Sequence, residues 1–445
     1  MGQAAQRTHK LKTAGKRAAI VLLAAASSSL LADPGASTAA GAGKPRTVHV
    51  RALPGGVPSA PTFKPTLSIP VAPLGYTVPG AFYMGQRASL VSLDFVDENR
   101  ILFTFRVPGL LHREAHDARQ ASGDDNIRQI RALVLRLPAG TIDTEAVWTV
   151  HDHSRYLWML ADGHFLLRDG DTLQQADASL ELKPVLHLPA PILWLEMDPE
   201  ERILVTSSRE PEAGASKYGI HANDAPESKP EILLRVVRRE NNQVMVVSRV
   251  RTLTHLAFTS EGYVEALRSR GINWMLNLNS FSGGSSRVLG QLESTCMPRI
   301  DFLTSTQMLT SSCSLNGARR LAGISTAGEL EWTDEVQPAS VWPEMVRSAN
   351  GARIAQTTLE STHAISATAP LGPDDIKGQA VRVLEASTGE LLLETAASPV
   401  YDAGGNVALS PSGRRLAVLS HGALEIFDLP AATGTASPAT VQNRQ

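Results

Sequence analysis

One short pattern recurs seven times along this 445-residue chain, and it leaves few folds open. An apolar run, a polar turn and a second apolar run follow one another, as in "LDFVDENRILFTF" (Leu93–Phe105) and "LEMDPEERILVTS" (Leu195–Ser207). Further copies are "YLWMLADGHFLLRDGDTLQQAD" (Tyr156–Asp177), "LAFTSEGYVEAL" (Leu256–Leu267), "IDFLTSTQMLTSS" (Ile300–Ser312) and "MVRSANGARIAQT" (Met345–Thr357). The seventh, "VALSPSGRRLAVLSHGALEIFDL" (Val407–Leu429), adds a glycine turn and a third apolar run. The apolar residue before each turn is Phe95, Met159, Met197, Phe258, Phe302, Val346 or Leu409, with gaps of 64, 38, 61, 44, 44 and 63 residues. The three long gaps each contain a polar block: Pro108–Gln129, Glu210–Glu231 and Ser361–Gln379. Without the blocks the period is even, close to the roughly 40–45 residues of a repeat built from four short strands.

The connecting segments agree with strands throughout. "ALVLRLPAGTIDTEAVW" (Ala132–Trp148) and "VRVLEASTGELLLETA" (Val381–Ala396) are paired apolar runs around a Gly-containing turn, the mark of a hairpin. Only Asp125–Arg136 offers a helical stripe, and for at most a turn or two. A single four-stranded sheet cannot bury both of its faces. Seven sheets packed around an axis can, so the chain is expected to be all-β: a seven-bladed propeller of four-stranded antiparallel blades.

The "SPSGRRLAVLS" turn region resembles the WD40-like and YVTN-type β-propeller families, a resemblance that extends over roughly Ala81–Leu429. No Trp-Asp dipeptide ends a third strand, and the Gly-His that opens eukaryotic-type blades is missing. The chain ends after the third strand of its last blade, so a closed ring needs one more. The resemblance implies that the N-terminal segment supplies it, from between Leu67 and Tyr83, paired with Ala423–Leu429. It also implies that the blocks after the second strands open on one face of the ring.

Residues 1–42 are a different kind of sequence. Lys10, Lys12, Lys16 and Arg17 precede an apolar run, Ala18–Ala32, and a small-residue exit, the three parts of a secretory signal. The run is too short and too rich in Ala and Ser to span a membrane comfortably, and no membrane span is expected in the mature chain. The domain reading is then a signal peptide (1–42), a Pro-rich segment (43–80), a propeller (81–429) and a disordered tail (430–445). The protein is expected to be periplasmic or secreted. With 42 basic and 44 acidic residues the formal charge is −2, and loss of five basic residues and one acidic residue with the signal leaves about −6. Neither value suits a nucleic-acid partner.

Candidate chemistry is sparse. Cys296 and Cys313 are the only cysteines, placed symmetrically about Thr304-Ser305. If those two residues make the turn, the cysteines oppose one another within disulfide range; two separately buried thiols are the other reading. His112 and His116 are four apart in "HREAHDAR", a spacing that on a helix would let them share a metal, but the flanks are loop-like and no metal site is assigned. "HDHS" (His151–Ser154) reads as a solvated turn, and "FSGGSS" (Phe281–Ser286) as a strand connection rather than a phosphate loop. The insertions hold the candidate binding residues: His112, Arg113, His116, Asp117, Asp124, Asp125, Tyr218, His221 and Asp224. The turn-preceding strands are mostly apolar, which favours a non-catalytic scaffold that binds a protein, peptide or glycan through its inserted face, with no cofactor. The alternative is a hydrolase, lyase or lactonase with a metal in the central channel.

Overall fold

In several repeats the second run is apolar at consecutive rather than alternate positions, as in Ile101–Phe103 and Leu416–Leu419, which requires a strand covered on both faces. The computed structural model shows how this is met. It describes residues 64–77, 91–107, 128–150, 155–209, 232–250, 255–315, 318–336, 344–363, 373–401 and 405–431. Within these, 28 strands form seven antiparallel sheets of four. β1 (Leu67–Pro70) stands alone near the start. The first blade is β2 (Val91–Asp97), β3 (Arg100–Arg106), β4 (Arg128–Arg136) and β5 (Thr141–Val150). The second is β6 (Leu157–Met159), β7 (Phe165–Asp169), β8 (Thr172–Ala176) and β9 (Lys183–His187). The third is β10 (Ile192–Met197), β11 (Ile203–Arg209), β12 (Ile232–Arg238) and β13 (Gln243–Val250). The fourth is β14 (Ala257–Thr259), β15 (Gly262–Arg268), β16 (Asn273–Ser280) and β17 (Ser286–Glu293). The fifth is β18 (Arg299–Phe302), β19 (Gln307–Cys313), β20 (Arg319–Ser325) and β21 (Leu330–Val336). The sixth is β22 (Glu344–Arg347), β23 (Arg353–Ser361), β24 (Ile376–Glu385) and β25 (Leu391–Ala397). The last holds β26 (Val407–Leu409), β27 (Arg415–Ser420) and β28 (Ala423–Asp428), with β1 as its fourth strand. The protein is a seven-bladed β-propeller.

The core is divided into seven apolar wedges, one between each pair of neighbouring blades. On β3, Ile101, Phe103 and Phe105 enter the wedge shared with the last blade, while Leu102 enters the wedge shared with the second. Ala355 on β23 faces the seventh blade and Ile354 the fifth. Period-two alternation thus persists, but both faces are buried. The wedge between the last and first blades also takes Ile69, Val71, Leu74 and Tyr76 from the N-terminal segment, and the Tyr76 and Tyr401 hydroxyls lie 2.7 Å apart within it. β1 meets β28 in the register Leu67↔Ile426 to Pro70↔Ala423, and the Thr66 amide adds a 2.7 Å bond to the Ile426 carbonyl. The last blade is therefore completed by hydrogen bonds between the two ends of the propeller.

A tight turn of the last blade packs closely on the sixth. Gly413, in the "PSG" turn, has φ +71°, and a Cβ there would come within 2.6 Å of the Arg353 side chain. Arg353 itself is buried, with its Nε 2.9 Å from the buried Glu385 carboxylate. Two sequence readings need correction. The polar blocks are shorter than their sequence limits, because β4 begins at Arg128 and β24 at Ile376, while β23 runs on through Ser361. The hairpin carrying the cysteines turns about Ser305, since Phe302 pairs with Met308. That register sets Cys313 against Met297, not Cys296. The disulfide nevertheless forms just beyond the paired residues, with a Cα–Cα distance of 5.5 Å. The Phe281–Ser286 segment forms the turn between β16 and β17.

Two stability predictions follow from closure and cross-linking. Ile69→Ala removes apolar contact from the closing strand and should lower the unfolding free energy by about 2–3 kcal/mol in a denaturant titration. A loss below about 0.5 kcal/mol would show that β1 contributes little to closure. Cys313→Ser opens a loop with a sequence separation of 17. It should cost up to about 3 kcal/mol by the same measurement, less whatever hairpin structure the unfolded chain retains.

Candidate functional site

Each blade repeats one strand order, so the first strands share one direction around the axis, and together they line a cavity of about 360 Å³. Their starting ends lie beside the finishing ends of the second strands: Val91 pairs with Phe105, Ile192 with Ser208 and Glu344 with Thr357. The described residues flanking all three polar blocks therefore sit at the end of the ring where the first strands begin.

The cavity is charged. Asp94 on β2, Glu196 on β10 and Asp301 on β18 line it from three blades, each one residue ahead of the apolar landmark that precedes the turn. Arg155 enters just ahead of β6 and His255 just ahead of β14, and Arg299 and Glu344 open β18 and β22. His255 Nε2 is 2.8 Å from Asp301 Oδ1 and 2.8 Å from the Ile300 carbonyl oxygen, while Nδ1 is 3.7 Å from Glu196. Arg299 lies 3.3 Å from Asp301 and 3.8 Å from Glu344, between the two. The Ser92 hydroxyl donates to Asp94 at 2.7 Å. Arg155 donates to the Leu157 carbonyl at 3.1 Å, and its guanidinium carbon is 5.2 Å from the centre of the Trp158 ring. At the far end Arg347 reaches across the channel to the carbonyls of Pro199 and Leu303, at 3.3 and 3.2 Å. The mouth is thus polar and open, while the far end is spanned by a side chain.

Burial governs the protonation of this set. It pushes the Asp94 carboxyl up to about 6, opposed by the Ser92 hydrogen bond and the Arg155 charge. Burial also raises Glu196, against the pull of His255, and Glu344, against the pull of Arg299. For Asp301, burial would raise the carboxyl, but the His255 hydrogen bond and charge, with Arg299, hold it below its ordinary value. Burial alone would lower His255; Asp301 and Glu196 outweigh it and leave the imidazole raised. Among the described residues, no group of three or more His, Cys, Asp or Glu is placed to hold a metal ion.

The predicted binding residues His112, Arg113, His116, Asp117, Asp124, Asp125, Tyr218, His221 and Asp224 all lie outside the described residues, as do His151–Ser154. The turn-preceding strands are expected to offer mostly apolar side chains to the axis; the cavity they line also holds the charged residues above. A signal was present in the repeat: the residue just before the landmark Phe95, Met197 or Phe302 is Asp94, Glu196 or Asp301. A larger cavity of about 690 Å³ lies between the second and third blades. Its charges pair among themselves, Arg202 with Glu200, Arg238 with Glu240 and Arg239 with Glu201, so the axial mouth is the better site.

No family model matches the sequence, and no curated protein matches it. Similar solved structures include the Pyrococcus horikoshii acylaminoacyl peptidase, 12% identical with a TM-score of 0.47, covering 78% of this chain and 53% of that one. The chain therefore spans about half the length of that peptidase. The β-propeller domain of the Trilobed protease from Pyrococcus furiosus is 11% identical with a TM-score of 0.43, covering 80% of this chain and 98% of that one. An oligogalacturonate lyase in complex with manganese is 11% identical with a TM-score of 0.43, covering 77% and 97%. Likenesses this distant carry no argument about activity. Among the described residues, no helix is long and apolar enough to cross a membrane.

The raised carboxyls yield a stability prediction. A carboxyl whose folded pKa exceeds its unfolded value favours folding below the unfolded pKa, and that contribution is lost as pH rises through the folded value. Asp94, displaced to about 6, thus destabilises the protein at neutral pH. Asp94→Asn should stabilise it there by about 1 kcal/mol, a figure reduced for partial solvent screening, and confer nothing below about pH 4. Urea titrations at the two pH values check this; a destabilised variant at neutral pH would contradict it.

Proposed function

We propose that this is an exported propeller that binds a protein, peptide or glycan through the face of the ring where its polar blocks emerge. The observation that carries this reading is the gathering of Asp94, Glu196, His255, Asp301 and Glu344 in the channel, which His255 and Glu344 enter from that same end. The described residues that flank the inserted blocks sit at the end from which His255, Arg299 and Glu344 enter the channel, and insertions on one face of a repeat commonly form its binding side. Carboxyls raised by burial beside specific charge partners in a cleft mark it as a candidate site. Export is supported by the three-part leader in residues 1–42 and by the Cys296–Cys313 disulfide, a bond typical of oxidising compartments.

A second reading, a channel enzyme, draws on the His255–Asp301 contact, in which a carboxylate orients an imidazole beside the half-buried Glu196. The described donor set favours the binding of a charged group over a metal-dependent hydrolase, lyase or lactonase. Shortening residues 108–127, 210–231 and 364–372 to tight turns, which spares the paired residues Arg128, Gln129, Ser361 and Ile376–Gln379, decides between the two. The shortened protein should keep its melting temperature, because the wedges are untouched, and lose the partner that the intact protein captures from a cell-envelope extract. Retention of that partner would move the site into the channel.

A further inference from the structure

We propose that the channel mouth is a binding site for a small organic ammonium group that carries a hydrogen-bond acceptor beside it, as at the amino end of a peptide. The inference rests on the reading of this face as the binding face and names the chemistry that the face selects.

Among the described residues, the charges of the mouth do not balance. Four carboxylates (Asp94, Glu196, Asp301 and Glu344) face two guanidiniums (Arg155 and Arg299) and one imidazole (His255). The set is one charge negative with His255 protonated and two charges negative with it neutral. The cations present are already committed. Arg155 is held by the Leu157 carbonyl and the Trp158 ring, and His255 by Asp301 and the Ile300 carbonyl. Among the described residues, Glu196 and Glu344 have no cation closer than 3.7 and 3.8 Å, and the direct partner of Asp94 is the neutral Ser92 hydroxyl. Among the described residues, three half-buried carboxylates thus face the cavity without a hydrogen-bonded cation, an arrangement that an incoming ammonium relieves. A second observation comes from Trp158. It lines the same cavity, is 5% exposed, and its indole N–H has no acceptor. A buried donor left unpaired is costly, so the ligand that best completes the site brings an acceptor as well as a positive charge.

Glycinamide, which has both features, is the probe. Ethylamine keeps the ammonium without the acceptor, and N-acetylglycinamide removes the charge. Glycinamide should bind with a dissociation constant on the order of millimolar in a calorimetric titration and shift the His255 imidazole resonances. Ethylamine should bind more weakly, and N-acetylglycinamide not measurably. The Glu196→Gln/Glu344→Gln variant should lose about tenfold in glycinamide affinity. Trp158→Phe, which keeps a ring and removes the N–H, should weaken glycinamide but not ethylamine. Acidification from about pH 7.5 to about pH 5.5 should weaken binding, because the raised carboxyls take up protons and His255 becomes cationic. Equal binding of N-acetylglycinamide, or no binding of glycinamide to the wild-type protein, would overturn the proposal. Because the wild-type titration decides this alone, a misfolded variant leaves the test intact. The face reading is tested separately: glycinamide binding beside undiminished partner capture by the shortened protein would leave this site standing and remove only that reading.

Discussion

Burial of the second strand of each blade on both faces is the constraint on which the rest of the structure depends. A strand such as β3, with Phe103 turned to one neighbour and Leu102 to the other, needs a blade on either side of it. No blade can satisfy that requirement alone, so stability resides in the seven wedges between blades. A linear stack would leave its first and last blades with one bare apolar face each. Closing the ring removes both bare faces, and the β1–β28 pairing places the two chain ends in the same blade.

This division of labour frees the axis. Wedge residues are held between blades, while some side chains of the first strands border the channel instead. Asp94, Glu196 and Asp301 occupy such positions, and burial raises two of these three carboxyls without disturbing the packing behind them. Asp301 escapes that fate because His255 and Arg299 reach it directly. One ring thus holds carboxylates in two electrostatic states, set by which of them has a close cation.

The far end behaves differently. Arg347 donates to carbonyls of the third and fifth blades, which ties opposite sides of the ring together and narrows the channel. The channel is therefore a pocket with one polar mouth, and the polar blocks emerge around that mouth. The position of the site on the ring follows from strand order: antiparallel neighbours bring the starts of first strands and the ends of second strands to the same end.

Period and strand alternation were legible in the sequence because both are local: the landmarks Phe95 to Leu409 and the even spacing between them required no knowledge of distant contacts. The disulfide was legible as a pair, since only Cys296 and Cys313 exist, although its register was not; a five-residue turn and a four-residue turn fit the same spacing. The charged mouth went unread for a different reason. In one copy of the repeat, Asp94 is a single polar residue in an apolar strand and carries no message. Only superposition of the blades puts it beside Glu196, Asp301 and His255, residues 102, 207 and 161 positions further along the chain. Which charges share a cavity, which carboxyls lose water and which keep a cation at hand are set by ring closure. Proximity across a closed ring is independent of distance along the chain, so tertiary structure alone decided it.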